Sequence, residues 1–365
     1  AVNRLVSIKG RTAETLSAQS LVLWKLGRRE EAVQAREEVV RMVPHDELAQ
    51  ESLSYLYLTL GDLKRGFEAY EARRRRRDQR DSALDRAKRW NGEDIAGKRL
   101  LVLSEQGIGD TIQFIRFLVP VVEGGASVTA LVQPPILAVA QTMDLPVTWT
   151  DTPENVGWFD YQIPLLSIPR VLGTELATIP ANVPYFRADP EKVAAWKDTL
   201  GGTGFRVGLA WQGNPSNTSD LRRSVALKYY ASLAAVAGVR LISVQGVNGL
   251  DQLTSLPPGM TVEQLGEKIT HNPDGISEVA AVIANLDLVI SSDTMTAHLA
   301  GALGAPVWVA LAYDADWRWF KDRDDSPWYP TMRLFRQKTP GDWPGVFAEI
   351  AAALQGVAAR KATFP

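Results

Sequence analysis

Residues 287–312, DLVISSDTMTAHLAGALGAPVWVALA, decide how the chain is read. Asp287–Ser291 is a short apolar, β-branched run of the kind that forms a buried strand, and it ends in the small polar residues Ser291, Ser292, Asp293 and Thr294. The pattern then predicts a helix over Met295–Leu303, stopped by Gly304-Ala305-Pro306, and a further strand over Val307–Leu311. Strand, turn, helix and strand make one unit of an open parallel sheet, in which ligands sit where strands end and helices begin. The first turn of the Met295 helix offers N–H groups and the positive end of a dipole, with the Thr294 and Thr296 hydroxyls beside it. His298, four residues after Thr294, falls on the same face. Two readings stand side by side: a phosphate site, or an ordinary crossover in which Asp293 or Thr294 is the N-cap.

The same alternation extends upstream. Arg99–Ser104 reads as a buried strand that enters Glu105-Gln106-Gly107-Ile108-Gly109-Asp110-Thr111, followed by an apolar helix over Ile112–Val122. Gly107 and Gly109 lack a third glycine, since position 112 is Ile, so a dinucleotide fingerprint is absent. The turn does place a carboxylate, Asp110, at the mouth of a helix, with Gln106, Gly107, Gly109 and Gln113 around it. Asp110 is either a catalytic group or the cap of that helix. Strands over Ser127–Val132, Val147–Trp149 and Tyr161–Pro164 and a helix over Pro135–Thr142 continue the domain, and Pro190–Leu200 bridges to the next.

Arg206–Trp211 opens a second sheet, and the polar loop 212–223 carries Gly213, Asn214 and Pro215 before Arg222 and Arg223. Paired arginines after a strand can clamp an anion through forked hydrogen bonds, or simply face solvent. A helix over Leu227–Ala237, a strand over Arg240–Gln245 with Gln245 at the ligand edge, and a helix over Ile276–Leu286 lead back to the opening stretch. Asp314-Ala315-Asp316 matches the outline of an Asp-x-Asp metal motif, a spacing that also arises by chance. Trp308, Trp317, Trp319, Trp328 and Trp343 are read as packing groups rather than sugar-stacking ones.

In the first eighty residues, Leu26-Gly27-Arg28-Arg29-Glu30-Glu31-Ala32 recurs in outline as Leu60-Gly61-Asp62-Leu63-Lys64-Arg65-Gly66, a period of 34 residues. That period, with Leu-Gly closing a helix and a small residue early in the next, is the tetratricopeptide pattern, and it predicts helices near 12–26, 30–42, 47–60 and 64–78. Two repeats are few for stability by stacking, so further repeats upstream or docking on the following domain is expected. The segment is a protein-binding groove or a structural cap. The five arginines Arg73–Arg77 are read as a solvated helix end.

Composition narrows the classes. The chain has 365 residues, 45% hydrophobic and 22% charged, enough for several cores, and a net charge of −2 that points to no nucleic-acid partner. It has no cysteine, which excludes disulfides and thiolate chemistry, and three histidines, His45, His271 and His298, too few for a multi-histidine metal site. No apolar stretch approaches a membrane span and no signal peptide heads the chain, so the expected compartment is the cytoplasm. The expected domains are 1–82 (repeat helices), 83–190 (first α/β domain), 191–340 (second) and 341–365 (a helix packing back on both).

Together, EQGIGDTIQF (Glu105–Phe114), WQGNP and DLRRS within Trp211–Ser224, SVQG (Ser243–Gly246), SSDTMTAHLAGALGAPVWV (Ser291–Val309) and DWRWFKDRDDSPWYPTMRLFRQ (Asp316–Gln337) are similar, in content and order, to the bacterial tetratricopeptide-repeat glycosyltransferases related to glycosyltransferase family 9, the heptosyltransferase family. The resemblance covers most of residues 90–350. It implies a GT-B architecture, two Rossmann-like domains facing a cleft behind an all-α repeat segment, and inverting transfer from a nucleotide-sugar with no metal and no cofactor. It implies Asp110 as general base and Asp293, Thr294 and His298 as the segment that holds the sugar nucleotide, with Met295 and Thr296 in that turn. Arg222 or Arg223 corresponds loosely to a phosphate-contacting lysine of the heptosyltransferases, a substitution that leaves the donor open. For the repeat-bearing subgroup the implied acceptor is a protein such as flagellin. The rival expectations are a repeat scaffold that has lost catalysis and a sugar-nucleotide epimerase.

Overall fold

The computed structural model describes residues 10–76, 84, 87–218, 220–270 and 274–363; Arg77 to Asp81 and His271 lie outside them. The chain divides into two compact units, one made of residues up to Glu93 with Ser167–Ile179 and Asp316–Asp322, the other of the remainder.

The first unit is helical: α1 (Ala13–Lys25), α2 (Arg29–Met42), α3 (Glu47–Thr59), α4 (Leu63–Tyr70) and the short α5 (Ala72–Arg76). Three of these helices, α1, α3 and α4, begin where side chains take up orphan N–H groups. Thr12 and Thr15 cap each other reciprocally at α1, Asp46 accepts from the Ala49 N–H at α3, and Asp62 accepts from the Arg65 N–H at α4. They end alike as well. The Arg28 N–H bonds the Leu23 carbonyl across Gly27, and 34 residues on the Asp62 N–H bonds the Tyr57 carbonyl across Gly61. Both glycines are left-handed, at φ +74° and +83°, which favours glycine at that place. The sequence period is therefore also a period of backbone geometry.

The helix expected over 64–78 is interrupted at Glu71. The expectation of a solvated arginine run also fails at its first member: Arg73 is 1% exposed. Its guanidinium donates to the Tyr70 carbonyl (3.1 Å), to Glu71 Oε1 (3.1 Å) and to Ser167 Oγ (3.0 Å). The aromatic groups Phe67, Tyr70 and Trp317 pack beside it, with Trp317 meeting Phe67 at 5.9 Å and Tyr70 at 6.0 Å, edge to face. A buried guanidinium is tolerable only with its donors satisfied, and Glu71 supplies the counter-charge.

The second unit holds two wholly parallel sheets. The first runs β3-β2-β1-β4, from β1 (Arg99–Leu103), β2 (Ser127–Leu131), β3 (Val147–Thr150) and β4 (Tyr161–Pro164). The second runs β6-β5-β7-β8-β9, from β5 (Phe205–Ala210), β6 (Val239–Ser243), β7 (Leu288–Ser292), β8 (Val307–Leu311) and β9 (Met332–Arg336). The central strands β7 and β8 are buried along their whole length, as a sheet covered on both faces requires. On the second sheet, Val346, Phe347, Ile350 and Leu354 of the C-terminal helix (Trp343–Thr363) pack at helical spacing against Val207, Leu209, Leu241, Ile290 and Phe335. Trp308, Trp317, Trp319 and Trp328 are buried and Trp343 is half-buried, as packing groups should be.

Strand positions agree with the sequence to within a residue or two, but β9 was not expected and three helices differ, the one expected over Pro135–Thr142 being a tight turn, Pro134–Ile136, and a single α turn, Leu137–Ala140. The helix expected from Ile112 starts at Ile108 as α6 (Ile108–Phe114) and continues through a tight turn into α7 (Leu118–Glu123). The one expected over Leu227–Ala237 is a tight turn, Leu227–Tyr230, and a single α turn, Ala231–Ala234. Pro190–Leu200 forms α8, Gly275–Ile283 forms α9 and Met295–Ala302 forms α10.

Topology fixes where a ligand can sit. The chain starts each sheet in the interior, moves one way, then returns to the other side of the first strand, so the switch points lie between β1 and β4 and between β5 and β7. Crevices open at the carboxyl ends of strands at such points. Those ends carry Ser104–Asp110, the loop after Trp211, and Asp293–Thr294.

Glu71 gives a test of the helical unit. Burial pushes its carboxyl upward, but the Arg73 and Arg89 guanidiniums outweigh that and hold it below the ordinary 4.5. A carboxylate with a depressed folded value contributes stability above its unfolded value and loses it as pH falls through the folded one. Glu71→Gln should therefore be less stable than the parent at neutral pH and lose less stability between about pH 5 and pH 3. Urea unfolding at each pH reads this; parallel pH profiles would contradict it.

Candidate active site

The first loop is built around Asp110. Gly107 is the N-cap of α6, and its N–H donates to Asp110 Oδ2 at 2.8 Å, closing the first helical turn; this is why the helix starts at Ile108 rather than Ile112. Asp110 thus serves as a capping group and also stands half-exposed at the helix mouth. Gln106 has φ +65°, left-handed and unusual for a residue with a side chain, and Phe320 and Asp322 share that trait only far away in sequence. Strain of this kind, of order 1–3 kcal/mol, concentrates at functional turns. Gln133 holds the turn, accepting from the Thr111 hydroxyl at 2.8 Å and donating to the Gln106 carbonyl at 3.5 Å. Gln113, one turn on, is fully buried, and neither end of its amide has a hydrogen-bond partner.

The second loop follows β7. The Ser291 hydroxyl donates to the Ser292 carbonyl (2.7 Å), so the Thr294 hydroxyl must donate to Ser291 Oγ (3.0 Å). Thr294 is the N-cap of α10, and its hydroxyl makes no cap bond to that helix. Asp293, Thr294, Thr296 and His298 are each less than a tenth exposed, and Met295 is half-buried. The start of such a helix suits an anion.

The two loops meet. α6 packs on α10, and a Cβ placed on Gly109 would lie 3.3 Å from His298 Cδ2 and 3.5 Å from the Met295 Cα. The residue before Asp110 therefore touches the residue after Thr294. Across the other side of α10, Tyr329 lies on Gly301 so closely that a Cβ there would be 2.4 Å from its ring, and its hydroxyl meets His298 Nδ1 at 3.0 Å.

The remaining predicted residues fall past the ends of β5 and β6. Arg223 is half-buried, paired with Asp220 at 3.3 Å, and its guanidinium lies within 2.8 Å of where a Gly213 Cβ would stand. Arg222 and Asn214 are exposed, and Asn214 Oδ1 accepts from the Ser216 N–H. Gln245 is 5% exposed and shapes the loop: Oε1 accepts from the Trp211 and Gln212 N–H groups and Nε2 donates to the Gln212 carbonyl. Asp316 accepts from the Arg318 N–H and pairs with its guanidinium at 2.8 Å. Among the described residues no three carboxylates or histidines gather as a metal site, and no helix is long and apolar enough to cross a membrane.

Sequence reading missed a cavity of about 140 Å³ beyond β6, lined by Ser243, Gln245, Leu250, Leu253, Gln264 and Ile269 among others. It also missed Arg116 and Tyr329. Arg116 did carry a signal, a lone charge in the apolar run IQFIRFLV.

No family model matches the chain. It is 28% identical over 337 residues to Protein FlbA of Caulobacter vibrioides, which takes in 83% of this chain and 54% of FlbA, so the chain spans about half the length of that relative. Among solved structures, the E. coli ADP-heptose LPS heptosyltransferase II covers 71% of this chain and 99% of its own, with a TM-score of 0.48 and 12% identity. The glycosyl transferase family 9 protein of Veillonella parvula covers 68% and 88%, with a TM-score of 0.47 and 12% identity. At those scores the likeness carries no argument about activity.

The two glycines should rank by their clearances. Gly301→Ala should cost about 1–3 kcal/mol in urea unfolding, the usual cost of overpacking, and Gly109→Ala distinctly less. The reverse order would contradict the described packing.

Proposed function

We propose that this chain is an inverting, metal-independent glycosyltransferase of GT-B architecture that moves a sugar from a nucleotide-sugar to a hydroxyl. The observation that carries the reading is the approach of Gly109 to Met295 and His298, which brings a half-exposed carboxylate and a buried helix start to one place. A displacement at an anomeric carbon needs both: a base for the incoming hydroxyl and fixed positive potential for the departing phosphate.

In this reading Asp110 takes the acceptor's proton, and its bond to the Gly107 N–H fixes its orientation. The phosphate lodges at the N-terminus of α10, among the Thr294 and Thr296 side chains, with Asp293 in the same turn. Charge that builds on the leaving oxygen meets the helix dipole and Arg223, which Asp220 and Gly213 hold at the end of β5, with Arg222 and Asn214 in the same loop. Gln245 serves by shaping that loop. The cavity past β6 has leucine and isoleucine walls and polar groups from Ser243 and Gln264, a chemistry that suits a nucleobase. On the other side, Gln106, Gly107 and Gly109 border the acceptor hydroxyl, while Gln113, expected with them, is fully buried.

The helical unit is assigned as tetratricopeptide repeats that bring a protein acceptor, flagellin being the candidate. Support comes from the Leu-Gly period and the identical backbone closures at Arg28 and Asp62. The proposed domains are 1–82, 83–190, 191–340 and 341–365, and the proposed compartment is the cytoplasm.

Calorimetry with a panel of sugar nucleotides and a transfer assay on flagellin test this together. Asp110→Asn should lower transfer by about 10²–10⁴-fold while donor affinity stays within about threefold. Undiminished transfer removes Asp110 from the role. Binding of no sugar nucleotide by the parent favours an inert scaffold, and a changed donor sugar without acceptor favours an epimerase.

A further inference from the structure

The candidate site is made of the first turns of α6 and α10, so whatever ties their far ends governs how those first turns face each other. Tyr185 ties them. Its N–H donates to the carbonyl of Ala302, the last residue of α10, at 3.0 Å, and its hydroxyl donates to the Ile112 carbonyl in the last turn of α6 at 2.8 Å. One residue from outside both helices thus takes up a carbonyl from the C-terminal end of each, where carbonyls lack partners inside the helix.

Arg116, in the tight turn after α6, holds Tyr185 in that place. It is 1% exposed, and its guanidinium donates to the Tyr185 hydroxyl (2.9 Å) and to the carbonyls of Gln113 (2.8 Å), Pro180 (3.3 Å) and Trp328. The two bonds of the Tyr185 hydroxyl are compatible, because a guanidinium only donates and a carbonyl only accepts. The guanidinium also lies over two rings, 4.8 Å from the centre of Tyr185 and 4.4 Å from that of Tyr329. The Tyr329 ring is in turn pressed on the α10 backbone at Gly301, where a Cβ would stand 2.4 Å from it. Arg116 therefore reaches α10 by two routes, through Tyr185 to Ala302 and through Tyr329 to Gly301. At their near ends the helices touch at Gly109, Met295 and His298. Joined only there they could pivot; joined at both ends they have one spacing and one angle.

We propose that Tyr185 and Arg116 are positioning residues for the transfer: by clasping the C-terminal ends of α6 and α10 they set the reach of Asp110 toward a sugar whose phosphate rests on the first turn of α10. Neither residue touches the substrate in this account. Moving a reacting group by about 1 Å costs on the order of 10²-fold in rate, so a clasp far from the chemistry is felt in turnover. The clasp stands on the hydrogen bonds and ring contacts alone; its meaning for catalysis rests on the sugar-transfer reading. The two can fail separately.

Tyr185→Phe in the full chain removes the hydroxyl and its two bonds and keeps the ring and the backbone bond to Ala302. Hydrogen exchange is followed by mass spectrometry in peptides from α6 and α10, with β5 as the reference, and steady-state transfer is measured beside it. The amides of α6 and α10 should exchange faster than in the parent while those of β5 keep the parent rate. Turnover should fall by about 10–100-fold with the donor KM within about threefold. Arg116→Lys keeps the charge but gives up the planar fork, so it should act in the same way, and it serves should the first variant not fold. Unchanged exchange in both helices overturns the clasp, as does acceleration spread evenly over β5 as well. Faster exchange in α6 and α10 with parent turnover overturns the positioning role. A parent that transfers no sugar sinks the sugar-transfer reading and the positioning role with it, and the exchange rates still decide the clasp.

Discussion

The close approach of α6 to α10 is the constraint on which the site depends. Each helix starts at the carboxyl end of a strand at a switch point of its own sheet, so each brings loop chemistry with it. Bringing the two starts together requires that nothing stand between them. Gly109 meets this on one side, where its missing side chain lets His298 and the Met295 backbone come to contact. Gly301 meets it on the other, where the helix accepts the Tyr329 ring against its backbone. The C-terminal end of α10 is pinned too: the Tyr185 and Phe186 N–H groups both donate to the Ala302 carbonyl, at 3.0 and 3.3 Å. A short helix held at its middle and its end keeps its position without a cap bond from the Thr294 hydroxyl.

The handling of buried charge follows one rule in both units. Arg73 in the helical unit and Arg116 in the α/β unit are each 1% exposed. Arg73 has a carboxylate, Glu71, and aromatic neighbours. Arg116 has carbonyls, a phenol and two aromatic faces, which satisfy its donors without cancelling its charge. A guanidinium can be left so because it is weakly hydrated and donates in a fixed plane.

Much of this was legible in the sequence where structure is local. The β7–α10–β8 stretch, the glycine turn before Asp110, the strand at Phe205–Ala210 and the 34-residue period all depend on neighbours a few positions apart, so pattern and capping chemistry suffice. Local signals also singled out Asp110, Thr294 and His298 one loop at a time, while their pairing in one site was what the resemblance implied. What escaped depends on partners far along the chain. Arg73 reads as part of a solvated run until Ser167 is placed beside it, and His298 reads as a ligand-facing group until Tyr329, 31 residues on, is found at Nδ1. Gln245 stands at the ligand edge as expected, yet its amide is taken up by backbone from the neighbouring strand end. β9 was hidden because its MRLFR run sits among tryptophans and prolines that suggest loop.

The central claim is that an activated sugar's phosphate rests on the first turn of α10 with Asp110 lining the same cavity. A crystal structure of the full chain grown with a nucleoside diphosphate tests it most directly. The account predicts a phosphate oxygen within hydrogen-bond distance of the Met295 or Thr296 N–H and the Asp110 carboxylate bordering the open space beyond it. A nucleotide bound elsewhere, with the start of α10 buried away from it, would contradict the account.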